Sequence, residues 1–213
     1  ELKTPLQSII GSAELLENGL VKPEDQPRFL NRIHQEADRL VALINDILRL
    51  SQLDEGGALP HEQVSVLELA QEAARSLTAQ AAAQAVHISV TGTAGTVFGV
   101  RRLLYEIARN LCENAVKYNV PGGSVTVEVA ETDRDVTLLV RDTGIGIPEG
   151  DQSRVFERFY RVDKSHSRAI GGTGLGLSIV KHAVAYHHGT LRLESQPGKG
   201  TVITVTLPKE LTE

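Results

Sequence analysis

Between Leu30 and Ile47 the apolar residues Leu30, Ile33, Ala37, Leu40, Ile44 and Ile47 fall in steps of three and four. That spacing is a heptad seam, and no other feature limits the possible folds as much. Upstream, Leu6, Ile9, Ile10, Ala13, Leu16 and Leu20 also recur at helical spacing, until "ENGLVKPEDQP" supplies a glycine and two prolines and ends that helix. Two antiparallel helices joined this way cannot bury both stripes completely against each other. A second copy completes a four-helix bundle, so the spacing predicts a homodimer through residues 6–53. The alternative is that the stripes pack on the rest of the same chain. The regularity of the heptads up to "DEGGALP", which reads as a linker, favours self-association.

Beyond the linker the period changes. "VSVLELAQEAARSLTAQAAAQ" reads as a short extended start and an Ala-rich helix, and "VHISVTG" as a strand. "VRRLLYEIARNLCENAVKYN" is a helix with Leu103, Leu104, Ile107, Leu111, Ala115 and Val116 on or near one face. "SVTVEVAETDRDVTLLVRD" gives two strands around a tight polar turn. "GLGLSIVKHAVAYHHG" is a helix closed by His187, His188 and Gly189, an end where positive charge is favoured. "TLRLESQPGKGTVITVTLP" is a closing hairpin. The expected class is α+β. Residues 1–55 form a helical hairpin, half of a dimeric four-helix bundle, and residues 56–213 an α/β sandwich with a mixed sheet and helices on one face.

Composition removes several functions. The net charge of -5 over 213 residues, with no dense basic patch, argues against a nucleic-acid partner. A single cysteine, Cys112, excludes an internal disulfide and any multi-cysteine metal site. No apolar run approaches the roughly 20 residues that span a bilayer, so no membrane contact is expected of this stretch. The chain contains no methionine and opens on Glu1, which implies that other residues once preceded it.

Glycines concentrate in "DTGIGIPEG", "GGTGLGLS" and "PGKGT". Gly-rich turns leading into a helix suit phosphates, because bare amides can face the anion. Glycine clusters also serve ordinary turns. A Walker A loop fails because Leu177 stands where lysine is required, and a dinucleotide fingerprint fails because Glu149 stands where the third glycine is required. The protein-kinase motifs are absent. The remaining constellation is ordered: "NLCENAVKYN", "DTGIGIP", "VFERFYRVD", "GGTGLGLSIVK", "GKGT". It resembles the sensor histidine kinases of the GHKL ATPase superfamily over essentially the whole chain. The preceding helix pair resembles the dimerisation and phosphotransfer hairpin of the HisKA type, whose signature His-Glu-x-x-Thr-Pro is matched by Glu1, Thr4 and Pro5. The phospho-accepting histidine is then expected immediately before Glu1.

The residues themselves suit such chemistry. An amide oxygen at Asn114, one turn after Asn110, is a hard ligand of the kind Mg²⁺ accepts alongside water and phosphate. A carboxylate at Asp142 can accept a hydrogen bond from an adenine amino group, or else cap its own turn. By resemblance, Asn114 ligates Mg²⁺ with support from Asn110, and Lys117 and Tyr118 approach the phosphates and nucleotide. Asp142 reads adenine, with Gly144 and Gly146 letting the backbone pass close to the base. Gly172, Gly174 and Gly176 cradle the phosphates, and Thr201 closes the adenine pocket. The stretch from Pro148 to Ile170 reads as a nucleotide lid whose Arg161, with Arg158 beside it, reaches the γ-phosphate. Glu1 would accept the proton of the missing histidine, Thr4 would position water for phosphatase action, and Pro5 would mark a bend point. Relatives place an aspartate near Val100, so the following helix here lacks that N-cap.

The resemblance implies the cytoplasmic transmitter of a two-component sensor, with ATP and Mg²⁺ as cofactors and a response-regulator receiver domain as partner. Any membrane anchor belongs elsewhere in the parent. No histidine of the chain matches the acceptor position, so no autophosphorylation is expected of it alone. The competing readings are a GHKL conformational ATPase and a nucleotide-binding regulatory module without kinase activity. The former lacks "ELKTP" on a heptad hairpin, and an intact ATP motif argues against the latter.

Overall fold

The structure, a computed structural model, describes residues 2–54, 59–162 and 173–210. It begins with α1 (Lys3–Glu17) and α2 (Gln26–Asp54), which form an antiparallel pair. Helix α1 ends in a Schellman turn. Gly19 has φ +66°, Gly19 N–H donates to Leu16 O at 3.2 Å and Leu20 N–H to Leu15 O at 3.0 Å. Glycine is required there because an L side chain resists the left-handed conformation. Pro27 is the second residue of α2, where a missing N–H costs no intrahelical bond.

The remaining elements are β1 (Glu62–Ser65), α3 (Val66–Ser76), α4 (Thr78–Ala83), β2 (His87–Gly92), β3 (Thr96–Gly99), α5 (Arg101–Lys117), β4 (Ser124–Glu131), β5 (Asp135–Asp142), α6 (Glu149–Gln152), α7 (Gly176–Tyr186), β6 (Thr190–Gln196) and β7 (Gly200–Pro208). The five-stranded sheet runs β2-β4-β5-β7-β6. Within it β2 and β4 pair in parallel, and the other three pairings are antiparallel. The mixed sheet is therefore as expected. Its inward positions alternate with outward ones: Val125, Val127 and Val129 on β4, Val136, Leu138 and Val140 on β5, and Ile203, Val205 and Leu207 on β7 are all buried. They pack against Leu69 and Ala73 of α3, Ile107 and Leu111 of α5, and Val180 and Val184 of α7.

Two local readings need correction. The Ala-rich stretch is two helices, broken at Leu77, and Ser65 caps the first by accepting from Glu68 N–H at 3.3 Å. The four-residue strand β3, paired antiparallel with β1, is an element beyond those the periodicity predicts; four residues are too few to display a period.

The apolar residues of α2 divide between two sides, and of the seam itself only Leu30 and Ile44 are exposed. Leu43 is buried with Leu175 and Ile179, and Ile47 and Phe159 pack alongside. Leu30, Val41, Ile44 and Leu48 remain exposed, as do Leu6, Ile10, Leu15 and Leu20 on the hairpin's first half. One side of α2 thus holds the sandwich, while a second apolar side is uncovered in a single chain. Among the described residues no helix is long and apolar enough to cross a membrane.

Candidate nucleotide site

A cavity of about 800 Å³ opens between the sandwich and α2. Helix α5 supplies one wall. Its buried stripe, including Ile107, Leu111, Ala115 and Val116, fixes its rotation against the sheet, so the intervening Asn110, Asn114 and Lys117 line the cavity. Asn110 donates its side-chain amide to Glu106 O at 2.8 Å, which turns its carbonyl oxygen away from that partner and towards Gly176. A Cβ on Gly176 would lie 2.8 Å from that oxygen. Asn114 makes no side-chain hydrogen bond among the described residues. An amide oxygen that faces a cavity without a protein partner fits a metal whose other ligands are water and phosphate.

Asp142, at the end of β5, has two distinct oxygens. Oδ1 accepts from Gly144 N–H at 2.8 Å and Thr201 N–H at 3.2 Å. Oδ2 has no hydrogen-bond partner among the described residues. One oxygen therefore caps the turn, and the other is left without a protein partner among the described residues. Burial raises its pKa, opposed by the two backbone amides. Glycine is required at Gly144, where a Cβ would collide with Tyr118 O. At Gly200, φ is +89° and a Cβ would collide with Asp142 O. Thr201 is fixed by Ser195, whose hydroxyl lies 2.8 Å from its own and accepts from Ile147 N–H at 2.8 Å. Gly146 and Tyr118 also line the cavity.

On the third side, Gly174 adopts φ +73° and accepts from Phe159 N–H at 2.9 Å. It leads into α7, whose N-terminus has no side-chain cap. Its open amides and the helix dipole favour an anion. Arg161 lines the cavity, whereas Arg158 lies 3.4 Å from His182 Nε2. The segment around them is fixed by Tyr160, which donates to Asp151 and lies under the Arg154 guanidinium at 4.3 Å. Burial lowers the pKa of Lys117; Glu113 opposes this, and the charges of Arg161 and Arg39 reinforce it.

Thr4 is exposed in the first turn of α1, apart from the cavity. Glu1 and Gly172 lie outside the described residues. The contribution from α2 has no counterpart in the sequence motifs: Gln35, Glu36, Arg39 and Asp46 line the cavity, and Thr173 donates to Asp46 at 2.7 Å across a separation of 127 residues. Helix α5 has no side-chain cap among the described residues, as expected, and it is the N–H of its N-cap residue that finds a partner. Val100 N–H donates to His187 Nε2 at 3.0 Å, while His187 Nδ1 pairs with Ala183 O at 2.7 Å. His187 does end α7, but its Nε2 accepts a hydrogen bond and burial lowers its pKa, and both oppose a cation there.

Residues 99–211 match the family described as histidine kinase-, DNA gyrase B- and HSP90-like ATPase. Residues 1–56 match the His Kinase A phospho-acceptor domain. The chain is 40% identical over 213 residues to the sensor-like histidine kinase SenX3 of Mycolicibacterium smegmatis, covering 98% of this chain and 55% of that one. It is 35% identical to the sensor histidine kinase WalK of Bacillus subtilis, covering 98% of this chain and 35% of that one. The chain thus spans about half the length, or less, of these relatives. In fold it is similar to the Acinetobacter baumannii histidine kinase AdeS, with a TM-score of 0.80 at 20% identity over 98% of this chain and 97% of that one. The ordered glycine motifs, the helical hairpin before them and both family matches place the chain among the sensor histidine kinases, as a transmitter region.

Proposed function

We propose that this cavity binds Mg-ATP and that the parent protein transfers the γ-phosphoryl group to a histidine of the hairpin, expected just before Glu1. The observation that carries the reading is that Asn114 and Asp142, each with a side-chain oxygen that has no partner among the described residues, line one cavity beside the uncapped end of α7. Asp142 Oδ2 accepts from the adenine amino group, while Gly144 and Gly146 admit the base. Asn114 holds Mg²⁺, with Asn110 in support; the metal supplies charge neutralisation for the polyphosphate. Lys117 and Arg161 stabilise the phosphoryl oxygens as the bond to the ADP oxygen breaks and a P–N bond to imidazole forms. Glu1 takes the imidazole proton. The phosphoryl group then passes to an aspartate of a response-regulator receiver domain, and Thr4 positions water for the reverse, phosphatase reaction.

The exposed apolar residues Leu30, Val41, Ile44 and Leu48 of α2 support a homodimer through residues 6–53. A structural neighbour is the histidine kinase ThkA in complex with the response regulator TrrA, similar to this chain with a TM-score of 0.76 at 21% identity over 98% of this chain and 59% of that one. The proposed location is cytoplasmic, with any membrane anchor elsewhere in the parent. Calorimetry tests the site: Asn114→Ala abolishes Mg-ATP binding while leaving the circular dichroism spectrum intact. Unchanged affinity in that variant removes the assignment.

A further inference from the structure

One wall of the cavity comes from the hairpin rather than the sandwich. Glu36, Arg39, Ala42 and Asp46 lie along one side of α2 and all line the cavity. Contacts on the same helix hold that wall in place: Asp46 accepts from Thr173, and Leu43 is buried against Leu175 and Ile179.

Arg39 is the cation on this wall. Among the described residues the carboxylate paired with it, Glu36, stands 3.9 Å away, beyond hydrogen-bond distance. Arg39 makes no side-chain hydrogen bond among the described residues. Glu36 Oε2 is buried and likewise without a hydrogen bond. A guanidinium has five N–H donors, so those of Arg39 are available to a ligand. It shares the cavity with Lys117 and Arg161. Arg109 also lines the cavity but is paired with Glu113 at 3.4 Å; an anion between Arg39, Lys117 and Arg161 would relieve their mutual repulsion. The charge of Arg39 helps lower the pKa of Lys117, which places the two cations near each other on the cavity wall.

We infer that Arg39 of the phosphotransfer hairpin binds the terminal phosphate of the nucleotide, so that α2 forms part of the ATP site and reads the γ-phosphate. This rests on the nucleotide reading of the cavity. Because α2 and the sandwich contribute to one ligand, nucleotide binding and docking of the sandwich on the hairpin stabilise each other to the same extent.

The test is calorimetric titration of the full chain with Mg-ATP and Mg-ADP. Arg39→Ala is expected to weaken Mg-ATP about tenfold, the loss of one charge-assisted contact, and Mg-ADP by about twofold at most. Glu36→Gln removes the competing carboxylate and is expected to tighten Mg-ATP about twofold, a gain that a purely structural role would not produce. Equal losses for the two nucleotides in Arg39→Ala would mean that the residue only holds the docked arrangement, which overturns the inference. Unchanged affinity for both, or weaker Mg-ATP binding in Glu36→Gln, overturns it too. If the unmodified chain binds neither nucleotide, the site reading itself fails and takes this inference with it.

Discussion

Replacing Asp142 by Asn separates recognition from architecture. The carboxamide oxygen can take over both contacts of Oδ1, from Gly144 N–H at 2.8 Å and Thr201 N–H at 3.2 Å. The amide nitrogen then occupies the place of Oδ2, so a donor faces the adenine amino group where an acceptor stood. The lost hydrogen bond and the unsatisfied donors together cost about 2–3 kcal/mol, or about 30- to 150-fold in affinity for Mg-ATP. The new donor matches a guanine carbonyl, so discrimination against Mg-GTP should shrink as well. Stability should move the other way. Burial raises the folded-state pKa of Asp142 above 3.8. As pH rises from 3.8 through that higher value, the unfolded chain releases its proton first and stability falls, so at neutral pH the ionised group is a net cost. The neutral carboxamide removes that cost, and the melting temperature of Asp142→Asn at pH 7 should equal or exceed that of the unmodified chain. Asp142→Ala is the contrast: it orphans two amides, at about 1–3 kcal/mol each where they are buried. Calorimetry with both nucleotides and thermal denaturation read all three quantities. Unaltered Mg-ATP affinity in Asp142→Asn, or a melting temperature as low as that of Asp142→Ala, refutes the assignment of one oxygen to the turn and one to the base.

Gly200→Ala should lower both stability and nucleotide affinity, because its Cβ would collide with Asp142 O. Gly198→Ala, with φ +75° and open space around it, should cost only the roughly 1–2 kcal/mol of a left-handed L residue. Chemical denaturation ranks the two, and equal losses would contradict the close approach. Ile44→Glu with Leu48→Glu should give monomers by light scattering, since both side chains are exposed in the single chain and need a partner copy to cover them. A monomeric unmodified chain at high concentration removes the bundle reading. His187 titrates at lower pH in the folded state than its ordinary 6.5. The unfolded chain therefore binds the proton first as pH falls, and stability should decline from about pH 6.5 downward. A denaturation free energy that is flat or rising over that interval in the unmodified chain, with no change of slope in His187→Gln, would show that the ring carries no such linkage.

The sandwich was legible where a single element spans enough residues to show a period. Val125 to Val129 and Val136 to Val140 alternate strictly, and the α5 stripe from Leu103 to Val116 is entirely buried. The glycine motifs and their order were equally readable, because close backbone approach at Gly144 and Gly200 leaves no room for another residue type. Contacts distant in sequence were not readable. His187 next to Val100 N–H, and Asp46 next to Thr173, depend on the packing of whole elements. The aspartate missing near Val100 suggested a helix without a side-chain cap, and α5 has none among the described residues; that the Val100 N–H is instead satisfied by an imidazole 87 residues away could not be read from the sequence. The heptads failed differently. The spacing located an apolar helix correctly but could not say that Leu43 and Ile47 face α7 while Ile44 and Leu48 remain uncovered.

That division gives α2 its particular constraint. Successive residues of a helix are about 100° apart, so Leu43 and Ile44, adjacent in sequence, project towards different surroundings. Leu43 enters the sandwich contact and Ile44 the exposed seam. Arg39 and Asp46 are on the cavity side, together with Glu36. A rotation of α2 that repacks one apolar side must therefore carry the others with it. A turn of about 20° moves a side-chain tip at about 5–6 Å from the axis by about 2 Å. That is enough to break the 2.7 Å bond between Thr173 and Asp46. The same helix thus cannot adjust its seam without disturbing the wall of the nucleotide cavity, and residues on the two sides are bound by one rigid-body constraint rather than by direct contact.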